Sequence, residues 1–155
     1  TEHYHDLGKF LFGFTVFWAY VSFSQFFLIW YANIPEETEF FVHRLHHGWA
    51  TLSYMIPILN FFFPFFFLLS RHIKRNRKTL AFGAIYIFAV HTLDIWWLVM
   101  PNAGGHMGDK IWIDICAFIG VGGVFLAAFG FFMNRNKLIA IGDPRLEEAL
   151  AHQNF

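Results

Sequence analysis

Four apolar stretches of about 20 residues each, at 10–31, 48–69, 80–100 and 111–133, leave this chain few folds to choose from. At 1.5 Å per residue, each is long enough to cross a hydrocarbon layer of about 30 Å as a helix. The composition agrees: 57% of residues are hydrophobic, 22% aromatic and only 14% charged, against about 25% charged in soluble domains. The expected fold is therefore all-α, a polytopic membrane protein. Its four transmembrane helices are expected to form a four-helix bundle over residues 1–133, with a cytoplasmic tail at 134–155. Most Trp and Tyr residues fall towards span ends, where interfacial anchors sit, and the Phe-rich faces suit membrane lipids and neighbouring helices. A net charge of zero gives no reason to expect a nucleic-acid partner.

The connections between spans read as solvent-facing loops. One is acidic, Asn33-Ile34-Pro35-Glu36-Glu37-Thr38-Glu39; one is basic, Arg71 through Lys78; the third is the turn Pro101-Asn102-Ala103-Gly104-Gly105-His106. Lys9, Arg71, Lys74, Arg75, Arg77, Lys78, Arg135, Lys137 and Arg145 fall on one side of the membrane, and only Arg44 and Lys110 on the other. That bias places both ends of the chain in the cytoplasm. Pro57 and Pro64 predict a kink in the second span, with Asn60 in reach of a backbone group that the kink frees. Ala117, Gly120, Gly123, Ala127 and Gly130 form a small-residue stripe that admits another helix at close range. In the tail, Asp143-Pro144-Arg145 predicts a short helix capped by Asp143 with Pro144 in its first position.

Deep inside the third span stand two ionisable groups, His91 and Asp94, three residues apart and so on one helix face. A centred Asp costs about 2.5–3.5 kcal/mol to insert, which makes such a residue a functional candidate by default. By helical rise, His91 lies about 17 Å and Asp94 about 21 Å from the cytoplasmic end of the span, with Gln25 about 23 Å up the first span. Asp114 enters the fourth span about 5 Å below the outer surface. In a four-helix bundle these residues, with Ser24 and with Tyr54 on the second span, are expected to form one polar pocket opening outward, a proton relay or a ligand contact. The competing interpretation is structural: His91 and Asp94 bond each other or a backbone group and fix the packing.

His43-Arg44-Leu45-His46-His47 matches the His-x-x-His-His box of membrane di-iron desaturases. That chemistry needs several such boxes on the cytoplasmic side, whereas this one falls outside, so an interfacial anchor or partner contact is expected and no metal site. Only His91 is deep enough to face a haem, which argues against a bis-histidine haem in this chain. Cys116, the single cysteine, excludes an intrachain disulfide, a Cys-x-x-Cys-His haem attachment and an iron–sulfur cluster held by this chain alone. The start at Thr1-Glu2-His3, without Met or a leader pattern, is expected of a fragment of a longer polypeptide.

Several runs carry a resemblance: Tyr4-His5-Asp6-Leu7-Gly8-Lys9, Phe14-Thr15-Val16-Phe17-Trp18-Ala19-Tyr20, Phe23-Ser24-Gln25 and above all Leu28-Ile29-Trp30-Tyr31-Ala32-Asn33-Ile34-Pro35-Glu36-Glu37-Thr38. Together with His91-Thr92-Leu93-Asp94-Ile95-Trp96 and Asp143-Pro144-Arg145-Leu146, they resemble the ActF-like membrane subunit of bacterial alternative complex III. This is the second quinone-binding-type subunit of quinol:cytochrome c oxidoreductase, in the NrfD/PsrC-type superfamily. The resemblance covers the C-terminal part of that family's proteins and implies the second four-helix bundle of a subunit with about ten spans. It implies a bacterial inner membrane and oxidation of menaquinol. It also implies haem c and iron–sulfur clusters on partner subunits: a homologous NrfD-like subunit, multihaem and monohaem cytochromes c and an iron–sulfur protein. The expected role is a proton pathway and structural support without a redox centre of its own. One alternative is that the chain forms the menaquinol site, with His91 and Asp94 taking the two protons. The alternative of another class is an independent transporter or an assembly module.

Overall fold

The computed structural model describes residues 2–46, 48–103, 111–137, 142 and 144–151, and every element among them is helical. Their order is α1 (Glu2–Ala32), α2 (Pro35–Leu45), α3 (Ala50–Pro57), a π-turn (Ile58–Phe62), α4 (Phe63–Leu69), α5 (Arg71–Arg75), α6 (Arg77–Val99), a 3₁₀ turn (Met100–Ala103), α7 (Ile111–Arg135) and α8 (Leu146–Leu150). Among the described residues, four helical stretches are long and apolar enough to span a membrane: α1, the run Ala50–Leu69, the run Arg77–Asn102, and α7. In hydrocarbon a helix satisfies its own backbone polar groups, which is what such apolar stretches require. The chain divides into two compact units, one from α1 to the 3₁₀ turn and one holding α7 and α8.

In the first unit, α1 turns one face inward: His5, Gly8 and Thr15 are buried at the three- and seven-residue spacing of a single helix side. At the start of α1, Glu2 Oε1 accepts from Arg75 Nη2 at 2.7 Å. Gly8 has a steric reason to be glycine, since a Cβ there would stand 2.9 Å from Lys74 Cγ and 3.0 Å from Lys74 Cβ. One turn further, the Phe12 and Phe65 rings lie 5.3 Å apart. Trp49, Leu52 and Ile56 form the core cluster, and Trp18, Leu93, Trp96, Trp97 and Met100 pack against it.

Two of the expected loops are helical, for reasons written in their residues. Asn33 adopts φ +49° and donates its N–H to Ile29 O, the left-handed stop that Asn tolerates after a helix. Pro35 then opens α2, where its missing N–H costs nothing. Glu36 and Glu37 sit in its first turn, His43 and Arg44 in its last, each matching the sign of the helix end it occupies. The acidic run is thus the start of a helix. The basic run holds α5 and then Asn76, whose side-chain oxygen accepts from Lys78 N at 3.0 Å and so caps α6. In the third connection the 3₁₀ turn covers Met100–Ala103; Gly104, Gly105, His106 and Lys110 lie outside the described residues.

The second span is continuous but changes register at its prolines. Phe63 N–H reaches back to Ile58 O, so Leu59 O would need residue 64 as its donor, and Pro64 has no N–H. Tyr86 on α6 takes that role, its hydroxyl donating to Leu59 O at 3.1 Å. Asn60 is buried, but its Nδ2 has no hydrogen-bond partner, so its amide does not donate to the backbone as expected. In the second unit, α7 carries the small-residue stripe; an added Cβ at Gly120, Gly123 or Gly130 meets no atom within 4 Å. α8 begins at Leu146 with Arg145 before it, two residues later than the expected start at Pro144. Asp143, its expected cap, lies outside the described residues.

Candidate functional site

Asp94 projects from α6 about 25 Å along the helix from its start at Arg77. Its side chain is 15% exposed. Trp18, near the middle of α1, donates its indole N–H to Asp94 Oδ2 at 2.9 Å. His91 Nδ1 lies 3.6 Å from the same oxygen, with its side chain 53% exposed. That distance suits an ion pair but exceeds a hydrogen bond, so the indole, not the imidazole, is the donor that fixes the carboxylate. A hydrogen bond to a charged group contributes about 1.5–3 kcal/mol, comparable to the insertion cost of a centred Asp. The site is therefore a carboxylate anchored on one side by an apolar residue's only donor, with an open imidazole one turn away.

The sequence pairing of His91 with Asp94 is thus present as a near contact. Ser24, Gln25 and Tyr54 are not joined to it: among the described residues no hydrogen bond links any of them to His91 or Asp94. Tyr54 is 68% exposed, and Gln25 is exposed on α1. Asp114 lies in the first turn of α7, in the second unit. In the histidine box, His43 Nε2 lies 3.4 Å from Glu39 Oε1 within α2, and His47 is outside the described residues.

Two residues that sequence reasoning passed over carry much of the local geometry. Trp18 reads as one more interfacial Trp, yet it stands mid-helix in α1, away from the polar helix ends, where a partly buried indole N–H needs an internal partner. Arg44 reads as a charge of the outer side, yet it is only 1% exposed. Its Nη1 donates to Phe40 O at 2.7 Å and its Nη2 to Leu98 O at 2.6 Å. Leu98 belongs to the last turn of α6, so the guanidinium caps that helix end and meets its partial negative charge. The cation also lies 3.5 Å from the Phe40 ring centroid and 5.1 Å from that of Trp97. Burial lowers the pKa of Arg44 from its ordinary value, and these carbonyl and ring contacts offset that cost.

Ser53 ties the same corner together. Its hydroxyl lies within hydrogen-bond distance of Arg44 O (2.8 Å) and Trp49 O (3.0 Å), sharing one proton between them, while its oxygen accepts from Trp97 Nε1 at 2.8 Å. Trp97 follows Asp94 by three residues, so the turn of α6 that bears the carboxylate is held by Trp18 on one side and by the Ser53–Arg44 corner just beyond it. Chemically the arrangement suits proton exchange: a carboxylate with one oxygen fixed, and an imidazole that can carry a proton to or from it. No family model matches this chain, and no curated protein matches its sequence.

Proposed function

We propose that this chain is the C-terminal bundle of an NrfD/PsrC-type membrane subunit in a quinol-oxidising respiratory complex of the alternative complex III kind. In this reading it provides a proton pathway through His91 and Asp94 and holds no redox centre, while haem c and iron–sulfur clusters belong to partner subunits. The observation that carries the proton role is the geometry at Asp94 Oδ2, with Trp18 Nε1 at 2.9 Å and His91 Nδ1 at 3.6 Å. The indole fixes one oxygen of the acid, while the neighbouring imidazole stands within ion-pair reach and half exposed, an arrangement in which a proton can pass between the two groups. The family assignment rests on the sequence resemblance, the proton role on this geometry.

A second reading draws on the exposure of His91. An imidazole that is half open beside a carboxylate, with Trp96 and Trp97 on the same helix, offers two bases to a quinol hydroxyl. Oxidation of one quinol to quinone releases two protons and two electrons; His91 and Asp94 would take the protons, and redox groups of the partner subunits the electrons.

Asp94→Asn separates the two, because it keeps size and hydrogen bonding and removes titration. Measured in the assembled complex, slowed proton release with unchanged quinol oxidation supports the proton pathway. A parallel fall in electron transfer supports the quinol site. Full activity with normal proton stoichiometry leaves Asp94 a packing residue, and purification of a stable solitary protein without cytochromes supports a transporter or an assembly module instead.

A further inference from the structure

Asn60 and Thr15 are buried polar side chains of the first unit, 7% and 5% exposed. Phe12 packs against Phe65, and Trp18 packs against the cluster that ends at Ile56. The second span runs antiparallel to α1, and α1 packs directly against the π-turn that holds Asn60, so Asn60 lies between these two contacts, on the stretch of the second span that faces the Thr15 region of α1. The two side chains are not bonded to each other. Thr15 donates its hydroxyl to Leu11 O at 2.9 Å, which leaves the lone pairs of its oxygen to accept. Asn60 Nδ2 has no acceptor at all.

The backbone around Asn60 explains why the amide is stranded. It lies within the π-turn, where the wider helical register turns side chains away from their usual i−4 neighbours and where local ligand sites are frequent. The nearest backbone acceptor released by Pro64, Leu59 O, is already taken by Tyr86. A buried amide that keeps an unfilled donor is rare in proteins and is commonly filled by an ordered water.

We propose that Thr15 and Asn60 bind one ordered water between α1 and the π-turn, accepting from Asn60 Nδ2 and donating to Thr15 Oγ. Because Thr15 precedes Trp18 by three residues, the water lies about one helical turn, or about 4.5 Å, along α1 from the indole that holds Asp94. The binding site stands on the geometry alone; its use as a step towards Asp94 rests on the proton-pathway reading above.

A density map of the assembled protein, at a resolution that shows water, tests the site directly. The expected result is a peak about 3 Å from both Asn60 Nδ2 and Thr15 Oγ, lost in Asn60→Leu and in Thr15→Val and kept in Asp94→Asn. An Asn60 amide bonded directly to Thr15 or to a backbone carbonyl, with no peak, overturns the proposal; should the variants fail to assemble, the wild-type map decides it. A peak together with a harmless Asp94→Asn leaves the hydration site standing and removes the proton pathway. Slowed proton release in Asp94→Asn without a peak does the reverse.

Discussion

Trp18 Nε1 donates to Asp94 Oδ2 at 2.9 Å, joining residues that are 76 positions apart in the chain. The bond connects the middle of α1 to the deep turn of α6, and it is the one direct hydrogen bond through which the described residues hold the Asp94 carboxylate. Everything proposed for Asp94 passes through it.

Trp18→Phe removes that donor while keeping an aromatic ring against the core cluster. Loss of a hydrogen bond to a carboxylate is expected to cost about 1.5–3 kcal/mol, seen as a lower thermal midpoint of the purified protein; on the proton-pathway proposal, proton release is altered at the same time. A midpoint and proton release both equal to wild type would show that the indole contact is incidental.

Arg44→Met keeps a long apolar side chain but leaves Leu98 O and Phe40 O without their guanidinium donors. Phe40 O keeps its backbone donor within α2 and Leu98 O its longer contact from Asn102 Nδ2 at 3.4 Å, so the loss is that of hydrogen bonds from a charged donor, about 1.5–3 kcal/mol each; the first unit should unfold at lower denaturant, and Arg44→Lys should recover part of the loss through one of the two carbonyls. Equal stability of Arg44→Met and wild type would remove the helix-capping role.

Two glycines should respond in opposite ways. At Gly8 a methyl group meets the Cβ and Cγ of Lys74, atoms close to the backbone that give way poorly, so Gly8→Ala is expected to destabilise α1 against α5 by about 1–3 kcal/mol. Gly123 has open space around it, so Gly123→Leu should leave the chain stable; if the chain is part of the proposed complex, the variant should lower the yield of that complex by keeping a partner helix at a distance. Normal complex yield for Gly123→Leu would exclude a packing role for the stripe.

The orientation expected from the Lys/Arg bias, with both chain ends in the cytoplasm, is tested by single-cysteine labelling in a Cys116→Ser background, since Cys116 is exposed. An impermeant reagent applied from outside is expected to label a cysteine at position 37 and spare one at position 76. The opposite pattern inverts the topology.

Hydropathy and length alone determined the number and class of the long helices, because a run of about 20 apolar residues has one economical way to cross hydrocarbon. The same local rules made His91 and Asp94 neighbours, since three residues on a helix share a face whatever surrounds them. The helical nature of α2 was also legible, in Asn33, Pro35 and the acidic first turn, but a loop reading based on polarity missed it. What only the tertiary structure decided are the long-range choices: that a mid-helix Trp18 supplies the donor for Asp94, that Arg44 is buried as the cap of α6, and that Tyr86 serves the carbonyl which Pro64 leaves unfilled. Each depends on which face of one helix meets which face of another, and an apolar sequence with few polar landmarks does not encode that in its local pattern, because nearly every face is equally suited to burial.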